Sequence, residues 1–467
     1  MNHFNSRRRF LASALTLAGQ QSLPLLAGLG AAANASAADD YKALICIFLN
    51  GGNDAYNTVL ACDPDSWRQY QRYRASGASP IALGASDALR LSPVTAQAGR
   101  EFTLHPALGA LKKMFDDGRA AIVANVGPLV QPTTATAFRN GTAVLPRELF
   151  SHNDQQSVWQ SSKPEGAAYG WGGRIADMVA AGNSNNMFTC ISTAENAVFV
   201  SGRTLTQYQL APAGVTAIRP MTTTLFGAHN HPLANIITAP SNNLIAKEYA
   251  ATTRRAMEAQ AYLSSAMAAS GSGGIPEPSL YPHPVTGVAT VNPLAVQLQT
   301  VARVIAGRSS LGVRRQVFYL SLGGFDTHAD QIARHGDLMA RLAHALSYFD
   351  KLSGNIMGTN MREQLTMFTA SDFGRTLVTN GDGTDHGWGG HHIVAGGAVR
   401  GRDIYGAFPA IGLGHEQEVG RGALLPSISV EQYGATMAKW FGLSTSQLRD
   451  VFPNIGNFSQ STLGFMS

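Results

Sequence analysis

Three observations predict an α/β fold, with a central and mostly parallel sheet flanked by helices in three layers. Apolar runs of strand length recur at residues 42–49, 120–127, 316–321 and 365–370. Runs that are apolar at nearly every position suit strands covered on both faces, as parallel strands are. Segments of helical periodicity lie between them, as right-handed strand–helix–strand crossovers require. Three of the runs also end in turns that carry an acid: Asn50-Gly51-Gly52-Asn53-Asp54, Leu322-Gly323-Gly324-Phe325-Asp326 and Ser371-Asp372. In open α/β sheets, ligands bind at that C-terminal strand edge.

The chain has 467 residues, enough for a large core, and 45% of them are apolar. Charged residues make up only 14%, against about 25% in an ordinary domain, and glycine is abundant. This balance suits a secreted, loop-rich enzyme. The net charge of +5 comes largely from the N-terminus: the first 37 residues hold three arginines and no acid, which leaves 32 basic against 30 acidic residues. No basic tract points to nucleic acid.

Taken in order, the chain begins with Ser6-Arg7-Arg8-Arg9-Phe10-Leu11, which matches a twin-arginine export signal. Gln20, Gln21 and Pro24 interrupt the apolar segment that follows, so it does not read as a membrane span. Ala35-Ser36-Ala37 supplies a small-x-small cleavage site. The expected partner is therefore the twin-arginine translocase, and the expected location periplasmic or secreted, with one domain over residues 38–467 after a signal peptide over 1–37.

The run Lys42–Leu49 reads as a buried strand whose glycine turn delivers Asp54, either as a metal ligand or as a turn and helix cap. A short helix is expected around Trp67–Tyr73, a longer one from His105 to Gly118, and a strand over Ala120–Gly127. Ser151 stands at a helix start, where a hydroxyl serves as an N-cap or, beside free N–H groups, as a nucleophile toward phosphorus or sulfur. Residues 166–297 are harder to read, with an insertion around 200–290. A helix after Gly170, a strand near Phe188–Ile191 and an alanine-rich helix over Lys247–Ala268 are expected there. His229, His231 and His283 fall in loops and read as surface residues.

Pattern returns with a helix over Ala295–Gly307 and the strand 316–321, which leads to Asp326 and His328 ahead of a helix over Gln331–Leu352. His335 and His344, inside that helix, read as surface or packing residues. The strand Leu365–Ala370 delivers Asp372, and Asp385, His386, His391 and His392 follow within a few residues before a second apolar run, Ile393–Ala395. No other segment holds so many carboxylates and imidazoles, the donors that a hard or borderline divalent metal requires. A helix over Ser429–Phe441 closes the pattern. The three cysteines make no disulfide framework: Cys46 reads as a buried small hydrophobe, and a Cys62–Cys190 bridge stays open as an alternative.

The order Asp54, Ser151, Asp326 with His328, Asp372 and His386 resembles the alkaline phosphatase and sulfatase superfamily. At closer range FLNGGNDAYNT, SHNDQQSVW, GGFDTHADQ, SDFGRT and TDHGWGGHHIVAGGAVRG resemble an uncharacterised exported bacterial family, the domain of unknown function 1501 type, over essentially the whole mature chain. The resemblance implies an alkaline phosphatase-like sandwich and divalent metal (Zn, Mn, Ca or Mg) on Asp54, Asp326, His328, Asp372 and His386. It also implies a nucleophile at Ser151. Phe373 stands where the superfamily often has a histidine, so Asp385, His391 or His392 would supply a missing ligand, or one metal site is reduced. Ser151 lacks the context of a formylglycine sulfatase.

The implied activity is metal-dependent hydrolysis of phosphate or sulfate esters, by Ser151 or a metal-bound hydroxide, with Arg375 clamping the anionic group or else pairing with Asp372 or a helix carboxylate. The alternative is a non-catalytic, metal-stabilised exported protein that binds a glycan or a protein partner.

Overall fold

A mixed nine-stranded sheet forms the centre of the molecule. The structure, a computed structural model, describes residues 40–84, 89–215 and 232–467. The expected export signal and cleavage site, with His229 and His231, lie outside the described residues. Lys42–Ser467 forms one compact unit.

The sheet strands are β1 (Lys42–Asn50), β2 (Ala120–Gly127), β3 (Cys190–Ser192), β4 (Tyr208–Gln209), β5 (Arg315–Gly323), β6 (Leu365–Ser371), β7 (Gly390–Gly396), β8 (Ile404–Tyr405) and β9 (Ile428–Ser429). Their order is β8-β2-β7-β6-β1-β5-β3-β4, with β9 also paired to β2. Every pairing is parallel except those of β7 with β6 and with β2, so β7 alone runs against the rest. β1 sits between β5 and β6, and its residues 43–49 are buried on both faces, as the apolar run predicts.

Helices cover the two faces. Leu44, Cys46 and Phe48 join one core cluster with Trp171 and Ile175 of α4 (Trp171–Val179) and Tyr433, Met437 and Phe441 of α8 (Val430–Phe441). Strand side chains alternate between faces, so Ala43, Ile45 and Ile47, all fully buried, fill the opposite one. On that side α6 (Pro293–Ala306) meets β5, and α7 (Gln331–Ser353) packs along α6 and reaches β7. Four further helices are α1 (Pro64–Arg74), α2 (Gly109–Asp116), α3 (His152–Ser161) and α5 (Leu244–Ala266), the last in the region of the expected insertion.

Local signals set most of the helix ends. Ser429 and Gln432 form a reciprocal capping box at the start of α8, and Asn292 caps α6 just ahead of Pro293. The strand expected near residues 188–191 lies at Cys190–Ser192, and all three cysteines are free, so the Cys62–Cys190 pairing is not made.

Register carries the chemistry to one edge. Leu49 of β1 faces Leu322 of β5 on one side and Ser371 of β6 on the other. The turns carrying Asp326 and Asp372 therefore leave the sheet together. β7 is antiparallel, with Val394 opposite Phe368 and Gly390 opposite Val126, so the segment entering β7 arrives at the same edge.

Candidate metal centre

Asp326 is the hub. It stands three residues beyond β5 and is partly exposed, while Arg375 beneath it is fully buried. Arg375 opens a hairpin of Arg375–Thr379 with Thr384–His386, in which Arg375 pairs with His386. Its Nη1 donates to Asp326 Oδ1 at 2.7 Å and to the carbonyl of Gly51 at 3.2 Å, and its other nitrogens donate to Thr384. Burial raises the pKa of Asp326, but the hydrogen bond and charge of Arg375 outweigh it and hold the carboxyl below its usual range.

Three imidazoles turn toward this carboxylate. His152, the first residue of α3, has Nδ1 2.7 Å from Asp372 Oδ2 and Nε2 3.7 Å from Asp326 Oδ2. Asp372 is fully buried, and it accepts from the amide of Gly51 at 3.0 Å and from Gln156 Nε2 at 2.8 Å, one turn along α3. A carboxylate can only accept here, so His152 Nδ1 carries the proton and Nε2 a lone pair. The hydrogen bond that His152 donates to Asp372 raises the His152 pKa, against the opposing effect of burial.

His386 follows the same logic. Its Nδ1 is 2.7 Å from the carbonyl of Phe150, so that nitrogen donates and Nε2 keeps a lone pair, 3.5 Å from Asp326 Oδ1. Phe150 sits at φ +72°, a left-handed conformation unusual for a bulky residue, and this aims its carbonyl. Burial lowers the His386 pKa. His328 is the most exposed of the three, with Nε2 3.0 Å from His386 Nε2 and 3.1 Å from Asp326 Oδ1, and Nδ1 3.5 Å from Asp385 Oδ1. Phe373 packs its ring 4.8 Å from that of His152 and 4.6 Å from that of His386, walling one side.

One ligand atom from each of His152, Asp326 and His386 lies within 4.8 Å of the others, and His328 Nε2 adjoins two of them. Imidazole nitrogens whose other nitrogen is held by a carboxylate or carbonyl, grouped around a carboxylate, suit a zinc-like divalent ion. The donor set fits a metal.

The residues singled out in the sequence divide into those this cluster gathers and those it leaves aside. Asp326, His328 and His386 meet in it. Asp372 and Asp385 stand one step behind, each facing the Nδ1 of an imidazole; Asp385 also pairs with Arg421 at 2.7 Å. Asp54 does not reach the cluster: it is fully buried in an ion pair with Arg74 of α1, accepts from Gln331 and caps the turn at Tyr56. His392 lies in the core against Trp159, ring centroids 4.7 Å apart, and its neighbour His391 accepts from the amide of Asn125. Ser151 Oγ donates to Asp154 Oδ2 at 3.0 Å and makes no cap bond. Arg375, with its nitrogens turned to Asp326, Gly51 and Thr384, is placed as a support for Asp326 and not as an open clamp. The sequence pattern singles out neither His152 nor Gln156: a helix start favours Ser151, and the imidazole is the next residue.

Comparisons with known proteins bear on the family. A family model described as Protein of unknown function (DUF1501) matches residues 41–450, and the chain belongs to that family. No curated protein matches it. Among solved structures, it is similar to Ps i-CgsB in complex with k-i-k-neocarrahexaose at 9% identity and TM-score 0.35, over 89% of this chain and 77% of that one. A structure from work on metabolism of multiple glycosaminoglycans by Bacteroides thetaiotaomicron matches at 8% identity and TM-score 0.35, over 87% and 74%. A variant of alkaline phosphatase PafA matches at 12% identity and TM-score 0.28, over 72% and 63%. At such overlap these likenesses say nothing of this chain's chemistry.

Proposed function

We propose that this member of the DUF1501 family is an exported, metal-dependent hydrolase of anionic esters, of the phosphate or sulfate class. The observation that carries the reading is the convergence of His152, Asp326 and His386, with His328 beside them, on one sheet edge. Each imidazole has its Nδ1 turned to an acceptor, so that Nε2 is left for the centre. Asp326, His328 and His386 would hold the ion with His152 next to it. A divalent ion bound there supplies Lewis acidity toward an ester oxygen and makes a nearby water more acidic.

The chain's own groups supply orientation and charge. Arg375 fixes Asp326 from below and offsets its charge. α3 begins at His152, so the positive end of its dipole faces the cluster and favours an anionic group there. Phe373 keeps water from one side of the imidazoles. Export by the twin-arginine translocase, to the periplasm or beyond, rests on the paired arginines of the leader. Among the described residues no helix is long and apolar enough to cross a membrane.

The test is an assay of the purified mature chain loaded in turn with Zn, Mn, Ca or Mg, on aryl phosphate monoesters, aryl phosphate diesters and aryl sulfates. Turnover that requires a metal and is lost in Asp326→Ala is expected. Bound metal that raises the melting temperature without turnover of any ester would overturn the hydrolase and leave the binding protein for a glycan or protein partner.

A further inference from the structure

We propose that His152 is the nucleophile of this site and that turnover of a phosphate monoester passes through a phosphohistidine at Nε2. The proposal rests on the hydrolase reading and names the attacking atom within it. Ser151, the hydroxyl at the helix start, is turned to Asp154. His152, one residue on, presents Nε2 to the cluster while Asp372 holds Nδ1–H at 2.7 Å. A carboxylate behind an imidazole fixes its tautomer and steadies the positive ring that forms when Nε2 takes up an electrophile. Asp372 is itself immobilised, fully buried and bonded by the Gly51 amide and Gln156 as well as by His152.

His152 meets the carboxylate on a different oxygen from the other two imidazoles. Donors on one tetrahedral ion with bonds near 2.0–2.1 Å lie about 3.3 Å apart. Asp326 Oδ1, His328 Nε2 and His386 Nε2 are 3.0, 3.1 and 3.5 Å from one another. His152 Nε2 instead faces the other oxygen of Asp326, at 3.7 Å. Those three donors would hold a divalent ion between them, and His152 stands beside them with its Nε2 lone pair toward Asp326 Oδ2.

The chemistry balances without a redox partner. The Nε2 lone pair forms an N–P bond as the P–O bond to the leaving group breaks. The leaving oxygen keeps the electron pair and takes a proton from solvent. Water then forms a new O–P bond and gives one proton to solvent, replacing the one the leaving oxygen took; the N–P bond breaks, its pair returns to Nε2, and phosphate departs.

A chirally labelled phosphate monoester turned over by the metal-loaded wild-type chain tests this directly, because two displacements retain configuration at phosphorus and one inverts it. Retention is expected, together with a phosphoryl group trapped on the His152 peptide that survives alkali and is lost in acid. His152→Asn should lose at least about 100-fold in turnover and keep the wild-type metal content by elemental analysis, whereas Ser151→Ala keeps both. Inversion, a phosphoryl group on Ser151, or loss of metal from a folded His152→Asn protein would each overturn the nucleophile and leave the hydrolase standing. Absence of any wild-type turnover would instead defeat the hydrolase reading, and this one with it.

Discussion

Asp372 lies too deep to meet a substrate, and its worth is in what it does to His152. One oxygen accepts from the backbone of Gly51 and the other from His152 and Gln156. Replacing it with Asn keeps the shape but offers an N–H₂ where an acceptor is needed, so the imidazole can flip its tautomer or turn. Asp372→Asn is expected to lower metal-dependent turnover about 10- to 100-fold while Asp326 and His386 remain in place. Turnover kept at the wild-type level would remove Asp372 from the machinery. At this scale the sequence was a partial guide. That Asp326, His328 and His386 come together was legible because strand-end acids and a nearby imidazole have a recognisable spacing. Asp54 has the same local pattern, but its fate is decided by Arg74, which folds back from α1 to pair with it in the interior. That pairing has no local signature, and neither does the turn of Ser151 to Asp154 that leaves His152 facing the cluster.

At the level of elements, the turn after β1 ties three parts of the site together. Gly51 donates its amide to Asp372 and accepts from Arg375, and its φ of +115° suits glycine alone. A Cβ there would lie 2.2 Å from the backbone nitrogen of Asp326. Gly51→Ala should therefore cost at least about 1–3 kcal/mol of stability, read from the denaturant midpoint, and should displace Asp326 enough to reduce turnover. Gly323, at the end of the neighbouring β5, has open space where its Cβ would go. Gly323→Ala is the matched control, expected within about 0.5 kcal/mol of wild type; equal losses in the two variants would refute the role given to Gly51. Two glycines after an apolar run were enough to read the turn. The direction of β7 was not legible, because the apolar run Ile393–Ala395 looks the same whichever way it enters the sheet. Yet only the antiparallel entry brings His386 to the edge where Asp326 stands.

Over the whole molecule, the histidines outside the site predict how stability depends on pH. Burial pushes the pKa of His105, His391 and His392 down to about 3 and that of His335 to about 4, against about 6.5 in an unfolded chain. Between those values the unfolded chain binds protons that the folded one refuses, so stability must fall as pH drops below about 6.5 and is fully present above it. One such group contributes a slope of up to about 1.4 kcal/mol per pH unit. Asp54, whose pairing with Arg74 prevails over its burial and lowers its pKa, adds loss of the same sign at still lower pH. His152 is shifted up and His386 down as well, so the total slope alone is not diagnostic; the difference made by one core histidine is. His392 packs against Trp159 and Tyr433 and has Nδ1 3.4 Å from the Thr369 hydroxyl. His392→Phe keeps the stacking and removes the titration. Denaturant melts at pH 7.5, 6.5 and 5.5 should show the wild-type midpoint falling with acid more steeply than the variant's. Parallel slopes would mean that His392 takes up a proton within the fold, and a charged ring at that depth would contradict its place in the core.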